Sequence, residues 1–320
     1  MKALVRHKYG GPDVVRIEEV ERPALEDDGV LVRVRASSVN KADWHELRGW
    51  PRTLRPVTRG GVFRPKKILF GSDFAGVVEE VGKDVTGLAP GDEVFGGRNG
   101  AFAEYVAAKE LVKKPANVTF EEAGTIGIAG LTALQGLRDK AGVKPGERVL
   151  INGASGGVGT MAIQVAKALG ADVTAVVGPR NLEQARVLGA DRVIDRTQLN
   201  FTRVGERYDV IADVCGGHSL RAMRRALEPD GRLVIVGAHA NGRHQLLHIA
   251  ATWLAGRFGE QSVKFFVANF NKPDLQALAD MLESGQLKPA IDRTYDLADA
   301  PEMLRTFGEG HVRGKLVLTI

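Results

Sequence analysis

Pro145-Gly-Glu-Arg-Val-Leu-Ile-Asn-Gly-Ala-Ser-Gly-Gly-Val-Gly159, running on as Thr160-Met-Ala-Ile-Gln-Val-Ala-Lys-Ala-Leu-Gly170, is the stretch that decides the fold. Pro145-Gly146 reads as a turn, 148–152 as a short apolar strand and 153–159 as a glycine-rich loop. The remainder reads as a helix with Val158, Ala162, Val165, Ala166 and Leu169 on one stripe. A strand that bends through glycines into a helix lets the backbone approach an anion closely. The helix start then adds free N–H groups and the positive end of a dipole. The usual spacing is G-x-G-x-x-G, and here Ala154 takes the first glycine's place before Gly156 and Gly159. Ala154, Ser155, Gly156, Gly157 and Val158 are therefore the expected cradle of a pyrophosphate.

Working outward, strands expected at 172–177, 192–195, 209–214, 232–237 and 262–267 alternate with helices at 181–188, 219–227 and around 244–254. With 148–152 they make six parallel strands joined by crossover helices, the doubly wound dinucleotide fold. Beyond Asn269 the pattern gives a helix at 273–284, a β segment at 291–295, a helix at 298–308 and a last strand at 315–320. A strand left over after six fits a return to an earlier domain.

That earlier domain occupies roughly the first 120 residues. Short β segments at 2–6, 14–20, 30–38, 75–81, 93–95 and 104–107 are separated by turns such as Asp27-Asp28-Gly29 and Pro90-Gly91-Asp92. Strands this short and closely spaced imply a compact β barrel or sandwich. The fold class is thus α/β in two domains: 1–120 with 269–320, and 121–268. At 320 residues each domain can bury its own core.

Composition excludes several classes. The one cysteine, Cys215, rules out disulfides within the chain and cysteine-based zinc sites. No apolar run approaches the length of a bilayer span, and Met1-Lys-Ala-Leu-Val-Arg-His-Lys8 is charged too early for a signal peptide, so the expected location is cytoplasmic. A formal net charge of +5 indicates only a liking for anions. His45-Glu46 lacks the second histidine of a metalloprotease helix, since Gly49 stands there, and a His244/His248 pair has no third ligand. No metal site is expected. Between Leu47 and Phe70 lie Arg48, Arg52, Arg55, Arg59, Arg64, Lys66 and Lys67 with no acid among them. This excursion reads either as a solvated surface loop or as a patch for anions, whether at an active-site rim, on an anionic membrane or on nucleic acid.

Asn40-x-x-Asp43, Gly71-Ser-Asp-Phe-Ala-Gly-Val-Val-Glu-Glu-Val-Gly82, Gly91-Asp-Glu-Val94, Ala103-Glu-Tyr105, Gly130-Leu-Thr-Ala133, Ala154-Ser-Gly-Gly-Val-Gly159 and Gly314-Lys-Leu-Val317 occur in this order. Together they resemble the zinc-free, zeta-crystallin-like quinone oxidoreductases of the medium-chain dehydrogenase/reductase superfamily. The resemblance implies a GroES-like barrel domain and a Rossmann domain with NADPH and a carbonyl or quinone substrate held in a cleft. It also implies a homodimer paired through the sixth Rossmann strand. The zinc alcohol dehydrogenases of that superfamily carry a cysteine near Asn40 and a His-Glu pair near Ser72-Asp73, and neither is present here.

The residue after the second Rossmann strand separates the cofactors: an acid there binds the ribose hydroxyl of NAD, whereas NADP needs the acid absent and a cation nearby. Here Val177 is followed by Gly178-Pro179-Arg180-Asn181, which favours NADPH, and the resemblance places Arg196 on the adenine side. It also places Thr132, Gly237, Ala238, His239, Phe265, Phe266 and Val267 along the nicotinamide half. Hydride delivery to an enone builds charge on the carbonyl oxygen, and donors beside that oxygen stabilise it. Asn40, carried over from the family motif, is the candidate, holding the nicotinamide end of the cofactor or the substrate. Lys41, where the family usually has proline, is a second donor or a solvated cation. Trp44 and Trp50 are read as pocket walls or as core, and Cys215 as a packed, inert thiol. Two other readings stand beside the enone reductase: an enoyl-CoA-type thioester reductase, and a non-catalytic NADPH-binding protein that associates with RNA or membrane.

Overall fold

The computed structural model describes residues 1–50, 61, 63–236 and 260–320. The expected helix at 244–254, the residues Gly237, Ala238, His239, His244 and His248, and Arg52, Arg55 and Arg59 lie outside the described residues. The chain forms two compact units, one from 1–129, 270–284 and 289–320, the other from 130–269 and 285–288.

The first unit opens with β1 (Lys2–Arg6), β2 (Val15–Glu19), β3 (Val30–Ser38), α1 (Lys41–Arg48), β4 (Asp73–Val81), β5 (Glu93–Gly97), β6 (Tyr105–Ala108), β7 (Leu111–Lys113), α2 (Phe120–Ala123) and α3 (Gly127–Leu134), which runs across the division. The second holds β8 (Arg148–Asn152), α4 (Gly157–Ala168), β9 (Asp172–Val177), α5 (Leu182–Val187), β10 (Arg192–Asp195), β11 (Tyr208–Asp213), α6 (Leu220–Arg225), β12 (Leu227–Val236) and β13 (Ser262–Phe266). The chain then returns with α7 (Lys272–Glu283), β14 (Ile291–Asp296), α8 (Ala300–Glu309) and β15 (Lys315–Thr319).

In the second unit the strand order is β10-β9-β8-β11-β12-β13, and every pairing is parallel. Both faces are covered by helices, so the strands read as nearly continuous apolar runs: β8 has four buried residues in five, and Val149, Leu150 and Ile151 are fully enclosed. The loop that follows β8 sits where the strand order reverses, the usual ligand crevice of such a sheet.

In the first unit seven strands form one sheet in the order β14-β15-β3-β4-β5-β7, with β6 pairing residues 30–33 of β3 on the edge that β15 takes at 36–38, and β1 and β2 make a separate antiparallel pair. The short β7 was not expected from the sequence, because three residues carry too little periodicity to register. β15 lies antiparallel to β3 and parallel to β14. The chain's end therefore completes the first sheet, and Lys315 is carried to the end of β3. One core lies under α1 and α8, built from Leu4, Val39, Trp44, Leu47, Phe70, Phe102, Met303 and Leu304. A second lies between β3, β4 and β5, with Val32, Phe74, Val78 and Val94.

Candidate active site

The turn after β8 is set by local geometry. Gly153 takes a φ of 90°, open only to glycine in practice, and a Cβ there would also sit 2.7 Å from Cβ of Cys215. Ala154 is buried and its N–H donates to the carbonyl of Val176 at 3.1 Å. At Gly159 a Cβ would lie only 2.2 Å from the carbonyl oxygen of Gly153, so the helix can press on the loop only because the side chain is absent. Gly156 differs: it caps α4 with an ordinary φ of −85°, and a Cβ built on it meets nothing within 4 Å. Neither strain nor crowding by protein calls for glycine at this position. A ligand approaching the helix start would, because α4 presents its first N–H groups there with no side-chain cap. Ser155, Gly156, Gly157 and Val158 are all partly exposed along this rim.

A second group of expected residues meets at the ends of β9 and β10. The N–H of Arg196 donates to Val177 O at 2.9 Å, and a Cβ on Gly178 would come within 3.6 Å of the Arg196 Nε. Arg196 thus lies beside Gly178, two residues from Arg180. Neither arginine side chain has a hydrogen-bond or ion-pair partner among the described residues, and both are exposed. Nearby, the side-chain oxygens of Asn181 and Gln184 are buried without a partner, as acceptors awaiting ligand hydroxyls would be. A dinucleotide fits this set: a pyrophosphate at Gly156, hydroxyls at Asn181 and Gln184, and any further phosphate at the two arginines.

The first unit holds a buried polar cluster where β3, α1, β4 and β15 meet. Asp73 is fully buried, and its Oδ2 accepts from Asn40 Nδ2 at 2.8 Å, Ser38 Oγ at 3.2 Å and Lys315 Nζ at 3.3 Å. Its Oδ1 accepts from the N–H of Ile128 at 2.7 Å. Lys315 Nζ also donates to Asn40 Oδ1 at 2.5 Å, and Asn40 Nδ2 reaches Ser38 O at 3.4 Å. Asp43, likewise fully buried, accepts from Ser72 Oγ at 2.6 Å and from the N–H of Asn40 at 2.7 Å. Burial pushes its pKa up to about 7, helped by the nearby negative charge of Asp73 and opposed by the Ser72 hydrogen bond.

This geometry changes three expected roles. The Asn40 amide is engaged at both ends by protein groups, so as it stands it is a pin between β3, β4 and β15 rather than a donor to a ligand. Trp44 is core: it packs against Phe307 with ring centroids 6.1 Å apart and lies over Gly308, where a Cβ would clash with its ring at 2.5 Å. Cys215 is exposed rather than packed, yet its thiol is pushed up to about 11 by the desolvating surroundings and by the negative charge of Asp213, so it stays protonated. Lys41 keeps a free hand: its side chain is exposed at the first turn of α1 with no partner among the described residues. Desolvation and the charge of Arg48 lower its pKa. Of the other expected contacts, Thr132 is buried in α3, Phe266 packs on Gly136 from β13, Phe265 is half-buried and Val267 is 73% exposed.

Residues 26–116 match the family described as alcohol dehydrogenase GroES-like domain, and residues 188–318 match zinc-binding dehydrogenase. The mouse protein NAD(P)H oxidoreductase RTN4IP1, mitochondrial, is 32% identical over 100% of this chain and 89% of its own. Tomato 2-methylene-furan-3-one reductase is 33% identical over 99% of this chain and 79% of its own. The solved quinone oxidoreductase from Coxiella burnetii superposes with a TM-score of 0.85 at 28% identity, covering 100% of this chain and 99% of that one. The chain belongs to the medium-chain dehydrogenase/reductase superfamily. It is an oxidoreductase of that superfamily.

Some members of the superfamily hold zinc, and the family description that matches 188–318 names it. The donors at the corresponding place do not fit that ion: Asn40, Ser72 and Asp73 offer neither thiolate nor imidazole, and both oxygens of Asp73 are already taken by four donors. Asp43, Asp73 and Lys315 stand in the sequence motifs with no role of their own legible there. The available signal was Lys315 itself, a charged residue opening an otherwise apolar strand.

Proposed function

We propose that this chain is a zinc-independent reductase that uses NADPH to reduce quinones, enones or other α,β-unsaturated carbonyls. The observation that carries the cofactor choice is the pair Arg180 and Arg196 beside Gly178, two guanidinium groups without carboxylate partners at the place where an NAD-binding acid would stand. The names of the relatives support the substrate class. When bound, the cofactor supplies a hydride. The protein's part is binding and charge placement. Gly156 and the start of α4 hold the pyrophosphate, Arg180 and Arg196 the ribose phosphate, and the Lys41 ammonium, the unpaired cation at the start of α1, donates to the substrate oxygen as charge builds there. Its lowered pKa makes it a stronger acid for that step. The Asn40–Asp73–Lys315 and Asp43–Ser72 bonds fix the end of β3 from which α1 starts, and so position Lys41. β13 ends the order of described strands, which supports a homodimer paired edge to edge.

Binding titrations test the cofactor assignment. NADPH should bind at least about tenfold more tightly than NADH, as expected for two charge-assisted contacts at an exposed site. Arg180→Ala with Arg196→Ala should remove most of that preference. Equal affinities in the unmodified protein overturn it.

A further inference from the structure

We propose that Phe63, Arg64, Lys66 and Lys67 form a docking point on the first unit for an anionic lipid bilayer, the phenylalanine ring entering the headgroup layer and the three cations meeting lipid phosphates. Phe63 is 89% exposed, more than any other large apolar side chain among the described residues. Single exposed apolar residues are ordinary on protein surfaces, but this ring stands among cations and projects from a turn that is held at both feet. Gly61 closes the turn: its φ is 76°, and a Cβ on it would run into the carbonyl oxygen of Arg64 and lie 3.3 Å from Lys66 Cγ. Tyr9 Oη donates to the carbonyl of Gly61 at 3.0 Å. At the other foot the N–H of Arg6 donates to Ile68 O at 3.0 Å, and Ile68 and Leu69 pack on Ala3, Val5 and Ala103. The ring is therefore presented to water from a base fixed to β1 and the residues just after it.

The charge is complementary to such a surface. Arg64, Lys66 and Lys67 are exposed, with no hydrogen-bond or ion-pair partner among the described residues. Glu26, which lines one concavity with Lys67, is held by Lys109 at 2.7 Å, and Glu18 is held by His7 at 3.0 Å. The nearest acids along the chain are engaged as well: Glu46 binds Arg6 at 2.6 Å, and Asp73 is fully buried. Between Leu47 and Ser72 the sequence has no acid, and 51–60 with 62 bring Arg52, Arg55 and Arg59, so in any arrangement they add positive charge. Each basic side chain at an anionic membrane surface is worth about a fivefold gain in partition. A ring that leaves water adds to it, since interfacial binding grows with buried apolar area and with attraction to anionic lipid. Single-stranded nucleic acid carries the same phosphate charge, but it is gripped by successive aromatic platforms along a groove. One ring projecting from a tight turn is instead the shape of a wedge between headgroups.

Flotation of the full chain with vesicles of phosphatidylcholine and phosphatidylglycerol, and with vesicles of phosphatidylcholine alone, tests the proposal. The anionic vesicles should retain the protein at least about tenfold better, an advantage that shrinks as salt screens it. Lys66→Glu with Lys67→Glu should weaken retention at least about tenfold, since two attractions become repulsions. Phe63→Ser should weaken it about tenfold for loss of the inserted ring, and Phe63→Trp should keep it. These variants change exposed side chains and should unfold at the temperature of the unmodified protein, so a loss of retention reports on the surface itself. The proposal is overturned by no retention, by equal retention on phosphatidylcholine alone, or by unchanged retention in either the charge-reversed or the serine variant. It is also overturned if poly(U) RNA binds the protein more tightly than the anionic vesicles do and displaces it from them.

Discussion

Asp43 joins the geometry of the first unit to a measurable pH response. A carboxyl whose folded pKa is raised holds its proton more tightly in the native state, so stability falls as pH rises from the unfolded value toward the folded one. With the ordinary value of 3.8 raised to about 7, ionising Asp43 in the folded protein costs about 4 kcal/mol. The urea midpoint should therefore drop between about pH 4 and about pH 7. Asp43→Asn keeps an acceptor for the Asn40 N–H and turns its amide toward Ser72 Oγ, so it should flatten that decline; an unchanged slope would assign the pH response elsewhere. Lys41 makes a second residue-scale prediction. Lys41→Ala should lower kcat by about tenfold or more with little change in NADPH affinity, and Lys41→Arg should recover part of it. An unchanged kcat would make Lys41 a solvated cation. How readable these residues were depends on distance along the chain. Arg180 was legible because its meaning is set by a strand two residues upstream. Asn40 was not, because the group that occupies its oxygen is Lys315, which arrives from the far end of the chain. Trp44 could be core or pocket wall until Phe307 and Gly308 were seen against it.

At the scale of elements, the β8–α4 turn is the best test of fold against function, since its glycines have different reasons to be glycine. A side chain at Gly159 would be driven into the Gly153 carbonyl, whereas one at Gly156 enters open space at an ordinary backbone conformation. Gly159→Ala should lower thermal stability by several degrees, in the range of about 1–3 kcal/mol for overpacking. Gly156→Val should leave stability near that of the unmodified protein and reduce dinucleotide affinity at least about tenfold, because the side chain stands where a pyrophosphate would lie. If Gly156→Val bound cofactor normally, the loop would not be the phosphate site. This turn was readable from the sequence because turn, strand, loop and helix are all local.

For the whole molecule, the consequential feature is the return of the chain's end to the first sheet. β15 brings a buried ammonium to a buried carboxylate, and Lys315 is only 3% exposed. Removing one partner of such a pair leaves the other charge buried and costs about 3–5 kcal/mol. Lys315→Met should therefore destabilise the first unit by that order, and pairing it with Asp73→Asn should recover much of the loss; simple addition of the two effects would deny the coupling. That return strand was anticipated as a leftover after six Rossmann strands, while its contribution to the Asn40 cluster was not, since no local pattern encodes a contact across most of the chain. Nucleotide loop, arginine pair, Lys41 and an Asn40–Ser72–Asp73 corner without thiolate or imidazole support the proposal of a metal-independent NADPH reductase of conjugated carbonyls or quinones. The most direct measurement is steady-state oxidation of NADPH with a panel of quinones, enones and enoyl-CoA thioesters, before and after exhaustive treatment with a chelator. Turnover of at least one quinone or neutral enone, faster with NADPH than with NADH and unchanged by chelation, is the predicted result. NADPH oxidation at background across the panel, or activity lost to the chelator and restored by zinc, would contradict it.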